Sequence, residues 1–244
     1  MVDESKIIFF TGAPGSKWSA TAHLIGMNPI FPINNSDYSP DRHYEHPMTE
    51  GPEGPVAHQG AYWGPGNEFG KHFHKLHERS KEYIIEEIEK PYEDKSWDKY
   101  RIIKCHQFAN QLDWIHENFP TSPIICVMRP DSHCLVGWRD GADGWNSIKY
   151  PDYKTYYQDN DKLKKEIERE NLAAREFVNK HDIEIHKIRD TFWSSYWGME
   201  RSDSKEISKY MDNVELRALR HQVPYLAWTV DLAVFKLGDG WFDR

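Results

Sequence analysis

The sequence predicts an α/β fold in which a parallel sheet is covered by helices on both faces. Three observations predict it. Unbroken apolar runs at residues 7–10 (IIFF), 100–105 (YRIIKC) and 123–128 (PIICVM) have the pattern of strands buried on both sides. Helix-like stretches alternate with these runs, as a parallel sheet requires, because each crossover needs a helix's length of chain. Each run also ends in a polar or glycine-rich cluster, and ligands of such sheets bind beyond the carboxyl ends of the strands.

The first strand leads into Gly12, Ala13, Pro14, Gly15 and Ser16, and residues 17–25 continue without a helix breaker. Strand, glycine turn and helix in that order make an anion site: backbone N–H groups converge and the helix N-terminus adds partial positive charge. Lys17 adds a full charge there, so Ala13, Pro14, Gly15, Ser16, Lys17, Trp18 and Ser19 are expected to hold the 5′-phosphate of a nucleotide-type ligand. The Trp18 side chain is expected to pack the helix on the sheet. The loop differs from that of NTPases: Ser16 precedes Lys17 and Trp18 follows it, without the adjacent metal-binding hydroxyl.

Residues 28–70 carry recurrent proline and glycine with aromatics between them and no helical or strand period. So long a stretch inside a compact chain suggests a functional loop, expected here as an ordered lid over the site within a single 244-residue domain. From 68 to 90 the pattern turns helical, with Phe73, Leu76, Tyr83, Ile84 and Ile88 as the expected inner stripe. His72, His74 and His77 begin that stretch but share no single helix face, so no metal site is expected. Asp131 suits a helix cap after the third apolar run. A charged amphipathic helix is expected over about 160–180 and a strand over 182–188, and the remainder reads as helical, with a capping box at Asp203 and Glu206 and a kink at Pro224.

The net charge of −8 points away from nucleic acid and anionic membranes as partners. The longest apolar run, residues 225–235, is too short to span a bilayer and contains Asp231. Cys105, Cys126 and Cys134 have no C-x-x-C spacing, and the two inside predicted strands, Cys105 and Cys126, read as small core residues in a reducing compartment. With no leader pattern ahead of the first strand, a cytoplasmic location is expected.

Three segments in register resemble the sulfotransferases that use 3′-phosphoadenosine 5′-phosphosulfate (PAPS). They are TGAPGSKWS at 11–19, KCH at 104–106 and IICVMRPD at 124–131. The resemblance covers about residues 6–140. It implies a P-loop-like three-layer sandwich and PAPS as donor. It makes His106 the general base, Lys17 a stabiliser of charge on the departing 5′-phosphate, and Arg129 a 3′-phosphate ligand, with the helix position of Gly137 beside it. The sequence departs from the family at Gly15, where a basic residue is usual, at Lys17, where glycine is usual, and at Gly137, where serine is usual.

The chemistry implied is transfer of a sulfuryl group to a hydroxyl or amine of a small-molecule or carbohydrate acceptor. A sulfuryl group carries less charge than a phosphoryl group, so no metal is expected. Two other readings stand beside it: a P-loop kinase of a small metabolite, which requires Mg²⁺ with ATP, and a non-catalytic nucleotide-binding relative. Neither the acceptor nor the oligomeric state is written in the sequence.

Overall fold

Ile7, Ile8, Phe9 and Phe10 are fully buried, so both faces of the first strand are covered. The computed structural model describes residues 2–16, 18, 21–22, 32–37, 60–63, 73–140, 159–188 and 230–236. Its strands are β1 (Ile7–Gly12), β2 (Ala61–Tyr62), β3 (Arg101–Lys104), β4 (Ile124–Met128), β5 (Ile185–Ile188) and β6 (Val230–Phe235). They form one six-stranded sheet in the order β2-β3-β1-β4-β6-β5.

The sheet is mixed rather than parallel throughout. Strands β2, β3, β1 and β4 are parallel to one another, whereas β6 runs antiparallel to both β4 and β5. The expectation of a helical C-terminal remainder therefore fails at Val230–Phe235, which is strand. The run V-D-L-A-V-F is short and apolar, and a run of that kind does not distinguish helix from strand by its period.

Register fixes the geometry of one sheet edge. Phe10 lies beside Lys104, and Gly12 beside Val127, so β1, β3 and β4 all finish at one edge. The chain leaves β1 to either side there, with β3 on one flank and β4 on the other. That is a topological switch point, where the crossovers diverge and leave a crevice.

Part of the 28–70 stretch joins the sheet. Tyr100 N donates to Pro32 O at 2.8 Å, Asn34 N to Tyr100 O at 2.7 Å, and Trp63 N to Lys104 O at 2.7 Å. Trp63 is fully buried. This is an edge strand with its flanks where no strand period is visible, because two residues of strand between glycines carry none. Residues 38–59, which would form the body of the expected lid, lie outside the described residues, as do Asp203, Glu206 and Pro224.

The helices are α1 (Lys81–Glu89), α2 (Leu112–Asn118), α3 (Asp131–Asp140) and α4 (Asn160–Lys180). The continuous helix expected over 68–90 is divided. A 3₁₀ segment, Phe73–Glu78, kinks at Lys75, and Ser80 then caps α1 by accepting from Tyr83 N at 3.2 Å. Helix α4 matches its sequence pattern: Asp159 accepts from Asp161 N and Lys162 N, satisfying two N–H groups that the first turn leaves orphaned. One face of the sheet, through Ile7, Phe9, Ile103, Ile124, Cys126 and Met128, packs with Ile84, Ile88, Phe108, Ile115, Phe119 and the Ala174, Phe177 and Val178 stripe of α4. Against the opposite face, Trp18 sets its ring 6.3 Å from that of Phe10. No helix among the described residues is long and apolar enough to cross a membrane.

The three cysteines are free and buried, as expected for Cys105 and Cys126, and Cys134 on α3 is buried with them. Burial pushes the Cys126 and Cys134 thiols up to about 12, and the Cys105 thiol higher still, so all three are inert at neutral pH.

Candidate functional site

The turn after β1 is built by Pro14 and Gly15. Ser16 N donates to Ala13 O at 2.9 Å, and Gly15 takes φ +77°, which is the geometry of a type II turn with proline and glycine at its centre. Glycine is required here twice over. The backbone is left-handed, and a Cβ would lie 2.0 Å from Cys134 O and 2.8 Å from Trp138 N on α3. At Gly12 a Cβ would meet Val127 O at 2.9 Å and Ser16 Oγ at 2.6 Å. The turn is thus pressed between β4 and α3 with backbone against backbone.

The turn's shape changes one expectation. The Ser16 N–H closes the turn and is not among the groups offered to an anion. Its hydroxyl is another matter. Ser16 Oγ is buried and makes no hydrogen bond to the protein. An orphaned buried hydroxyl beside a glycine turn is what a phosphate oxygen would satisfy, so the residues present fit a phosphate group here.

His106 follows β3 and begins a 3₁₀ segment, His106–Gln111. Its Nδ1 lies 2.5 Å from Gly12 O. A carbonyl only accepts, so Nδ1 carries the proton and the neutral ring holds its lone pair on Nε2. The backbone is fixed as well: Thr11 Oγ1 donates to His106 O at 3.1 Å, and Cys105 N donates to Phe10 O at 3.1 Å. The Trp18 ring stacks on the imidazole, with centroids 4.0 Å apart and planes 34° from parallel, and Trp138 approaches at 6.3 Å. Lys104, fully buried, places Nζ 6.0 Å from the Trp18 ring centroid.

Arg129 stands at the end of β4, 4% exposed, and its Nη1 donates to Gly15 O at 3.2 Å. Burial is the main reason its proton affinity is lowered, though a guanidinium remains charged. Asp131 is the first residue of α3 rather than its cap, and its Oδ1 accepts from Asn171 Nδ2 at 2.7 Å. The same Asn171 amide donates to Arg129 O at 3.0 Å. A residue of α4 thus fixes the backbone at the end of β4. Asn171 has no motif; the available signal is a polar residue on the buried stripe of a helix, in line with Leu163, Ile167 and Ala174.

Of the residues singled out in the sequence, the structure brings together Ala13, Pro14, Gly15, Ser16, Trp18, His106 and Arg129. Gly137 lies in α3, next to the Trp138 that the Gly15 turn presses against. Lys17 and Ser19 lie outside the described residues. The cluster offers a buried imidazole with a defined basic nitrogen, a buried guanidinium and a glycine turn, all linked by hydrogen bonds to the same four residues of backbone. No family model, curated protein or solved structure matches the chain.

Behind the site, Glu170 is fully buried one turn after Glu166 on α4. Burial holds its carboxyl well above the usual 4.5, and the neighbouring Glu166 adds to the effect. Such a group binds more protons folded than unfolded, so stability is lost as pH rises above about 4.5. Glu170→Gln is expected to raise Tm at pH 7 and to remove a decline of about 1.4 kcal/mol per pH unit above the ordinary carboxylate range. Thermal unfolding followed from pH 5 to pH 8 checks this; an unchanged slope in the variant contradicts it.

Proposed function

We propose that the protein is a PAPS-dependent sulfotransferase, with a sulfotransferase-type three-layer fold, acting on a hydroxyl or amine of a small-molecule or carbohydrate acceptor. The observation that carries this reading is the hydrogen-bonded linkage of three strand ends: Gly12 O to His106 Nδ1 and Gly15 O to Arg129 Nη1. That linkage sets the imidazole and the guanidinium on the two sides of one glycine turn.

His106 is the general base. With Nδ1–H held by Gly12 O, Nε2 receives the acceptor proton, and the carbonyl stabilises the imidazolium that forms. Arg129 is the ligand of the nucleotide's 3′-phosphate, through the planar fork that suits phosphate oxygens. Ser16 Oγ and the backbone of the turn meet the 5′-phosphate, and Lys17 and Ser19, adjacent in the sequence, are the further residues assigned to it. PAPS supplies an activated sulfuryl group when bound; the chain's own work is positioning and charge stabilisation. The three segments in register support the same assignment.

The test is transfer of labelled sulfuryl from PAPS to acceptors in a fractionated extract, without added metal. Transfer supports the reading. Phosphoryl transfer from ATP with Mg²⁺ would establish the kinase reading in its place, and nucleotide binding without either transfer would leave a non-catalytic binding protein.

A further inference from the structure

At the sheet edge opposite the glycine turn, β6 ends on a lysine in an unfavourable backbone conformation. Phe235 lies beside Ile124, the first residue of β4, so this end of β6 is at the other end of β4 from Arg129. Lys236 follows with φ +61°, in the left-handed region. A residue with a Cβ holds that conformation only where its surroundings fix it. Here the side chain is tied down twice. Lys236 Nζ donates to Pro120 O, in the turn after α2, and lies 3.2 Å from Nδ1 of His116 on α2 itself.

His116 is half-buried in a set of four rings. Its own, Phe177, His181 and Phe235 have centroid separations between 4.6 and 6.3 Å for every pair. An ammonium only donates, so Nδ1 accepts from Lys236 and the neutral ring carries its proton on Nε2. The contact therefore exists in one protonation state alone. Once His116 gains a proton, Nδ1–H faces Nζ and two cations stand 3.2 Å apart.

The surroundings oppose that charge. Among the described residues, the charged and titratable groups about His116 are Asp113 and Glu117 on its own helix, Lys180 and His181 at the end of α4, and Lys236. Asp113 Oδ1 is shared between Lys180 Nζ at 2.9 Å and His181 Nε2 at 3.2 Å. Burial, then Lys236, then His181 lower the proton affinity of His116, and they outweigh the opposing pull of Asp113 and Glu117. The folded chain thus binds fewer protons at this ring than the unfolded chain. The stability involved is present above the ordinary histidine value of 6.5 and is lost as the pH falls below it.

We propose that His116 and Lys236 form a pH-released clasp: the neutral imidazole holds the C-terminal end of β6 to α2, and the imidazolium expels the lysine and frees that end. The left-handed backbone at Lys236 then relaxes, which favours the open form. The clasp uses neither the nucleotide nor the transfer reading, and it stands or falls apart from them.

The experiment is hydrogen exchange of the full chain at pH 7.5 and pH 5.5, a range that spans histidine titration. It is read as protection relative to the intrinsic exchange rate, on residues 230–236 with β3 as the reference. At pH 5.5 the protection of 230–236 is expected to fall about two- to fivefold more than that of β3, the loss that one half-exposed charge contact supports. His116→Gln, whose Oε1 accepts from an ammonium at either pH, is expected to keep the segment protected at both. Lys236→Met is expected to leave it weakly protected at both. An NMR titration of histidine-labelled protein, with the His116 signal assigned by its loss in His116→Gln, gives a second measure. There Lys236→Met is expected to raise the His116 pKa by about 0.5–1 pH unit, because it removes a charge 3.2 Å from Nδ1. Protection of 230–236 that follows β3 at both pH values in the parent overturns the proposal, as does a His116 titration unmoved by Lys236→Met.

Discussion

His106→Gln is expected to lower sulfuryl transfer by about 10²–10⁴-fold while leaving nucleotide binding within about twofold of the parent. Glutamine is the informative replacement. Its amide can still donate to Gly12 O, so the turn keeps the contact now made by Nδ1 at 2.5 Å, while the basic nitrogen is lost. Alanine would remove a side chain that is 3% exposed and stacked on Trp18, and would mix a cavity cost with the chemical one. The measurement is single-turnover transfer at saturating nucleotide, paired with calorimetry of product nucleotide binding. A variant that binds and transfers normally removes His106 from the chemistry.

Gly15→Ala is expected to be the more destructive change for binding. The left-handed φ of +77° costs a residue with Cβ about 1–2 kcal/mol. The new Cβ also collides with backbone, 2.0 Å from Cys134 O and 2.8 Å from Trp138 N, which have no rotamer by which to yield. Overpacking of that kind adds about 1–3 kcal/mol, and together the two terms take a large part of a domain's usual 5–15 kcal/mol. Relief comes only by moving the turn away from α3, which also breaks the Arg129–Gly15 hydrogen bond. Nucleotide binding is therefore expected to fall by at least about 100-fold, and Tm by several degrees. Calorimetry and thermal unfolding of the same preparation read both. Tight nucleotide binding retained in this variant would show that the turn is not the phosphate site.

Much of the candidate site was legible in the sequence because its residues stand at strand ends, and buried parallel strands announce themselves as apolar runs. Residues 7–10, 100–105 and 123–128 locate the ends of β1, β3 and β4, and with them the turn, His106 and Arg129. Pro14 and Gly15 also foretell the turn type, since proline presets φ and glycine accepts the positive one. The partner that fixes the histidine tautomer was not legible, because a backbone carbonyl carries no residue identity. Asn171 and Glu170 were hidden in the charged run of α4, where only their phase relative to Leu163 and Ile167 marks them as buried. The reversed strand β6 was missed for a different reason. Its six residues close an apolar run that extends back to 225, and nothing local separates an antiparallel strand from the end of a buried helix.

The central claim is that the Gly15 turn, His106 and Arg129 bound a site for a doubly phosphorylated adenosine. Isothermal calorimetry of 3′-phosphoadenosine 5′-phosphate against adenosine 5′-phosphate, in buffer with EDTA, tests it most directly. Binding is expected without metal, and loss of the 3′-phosphate is expected to weaken it by at least about tenfold, since a charge-assisted hydrogen bond to Arg129 contributes about 1.5–3 kcal/mol. Equal affinity for the two nucleotides, or binding only of ATP and only with Mg²⁺, would contradict it.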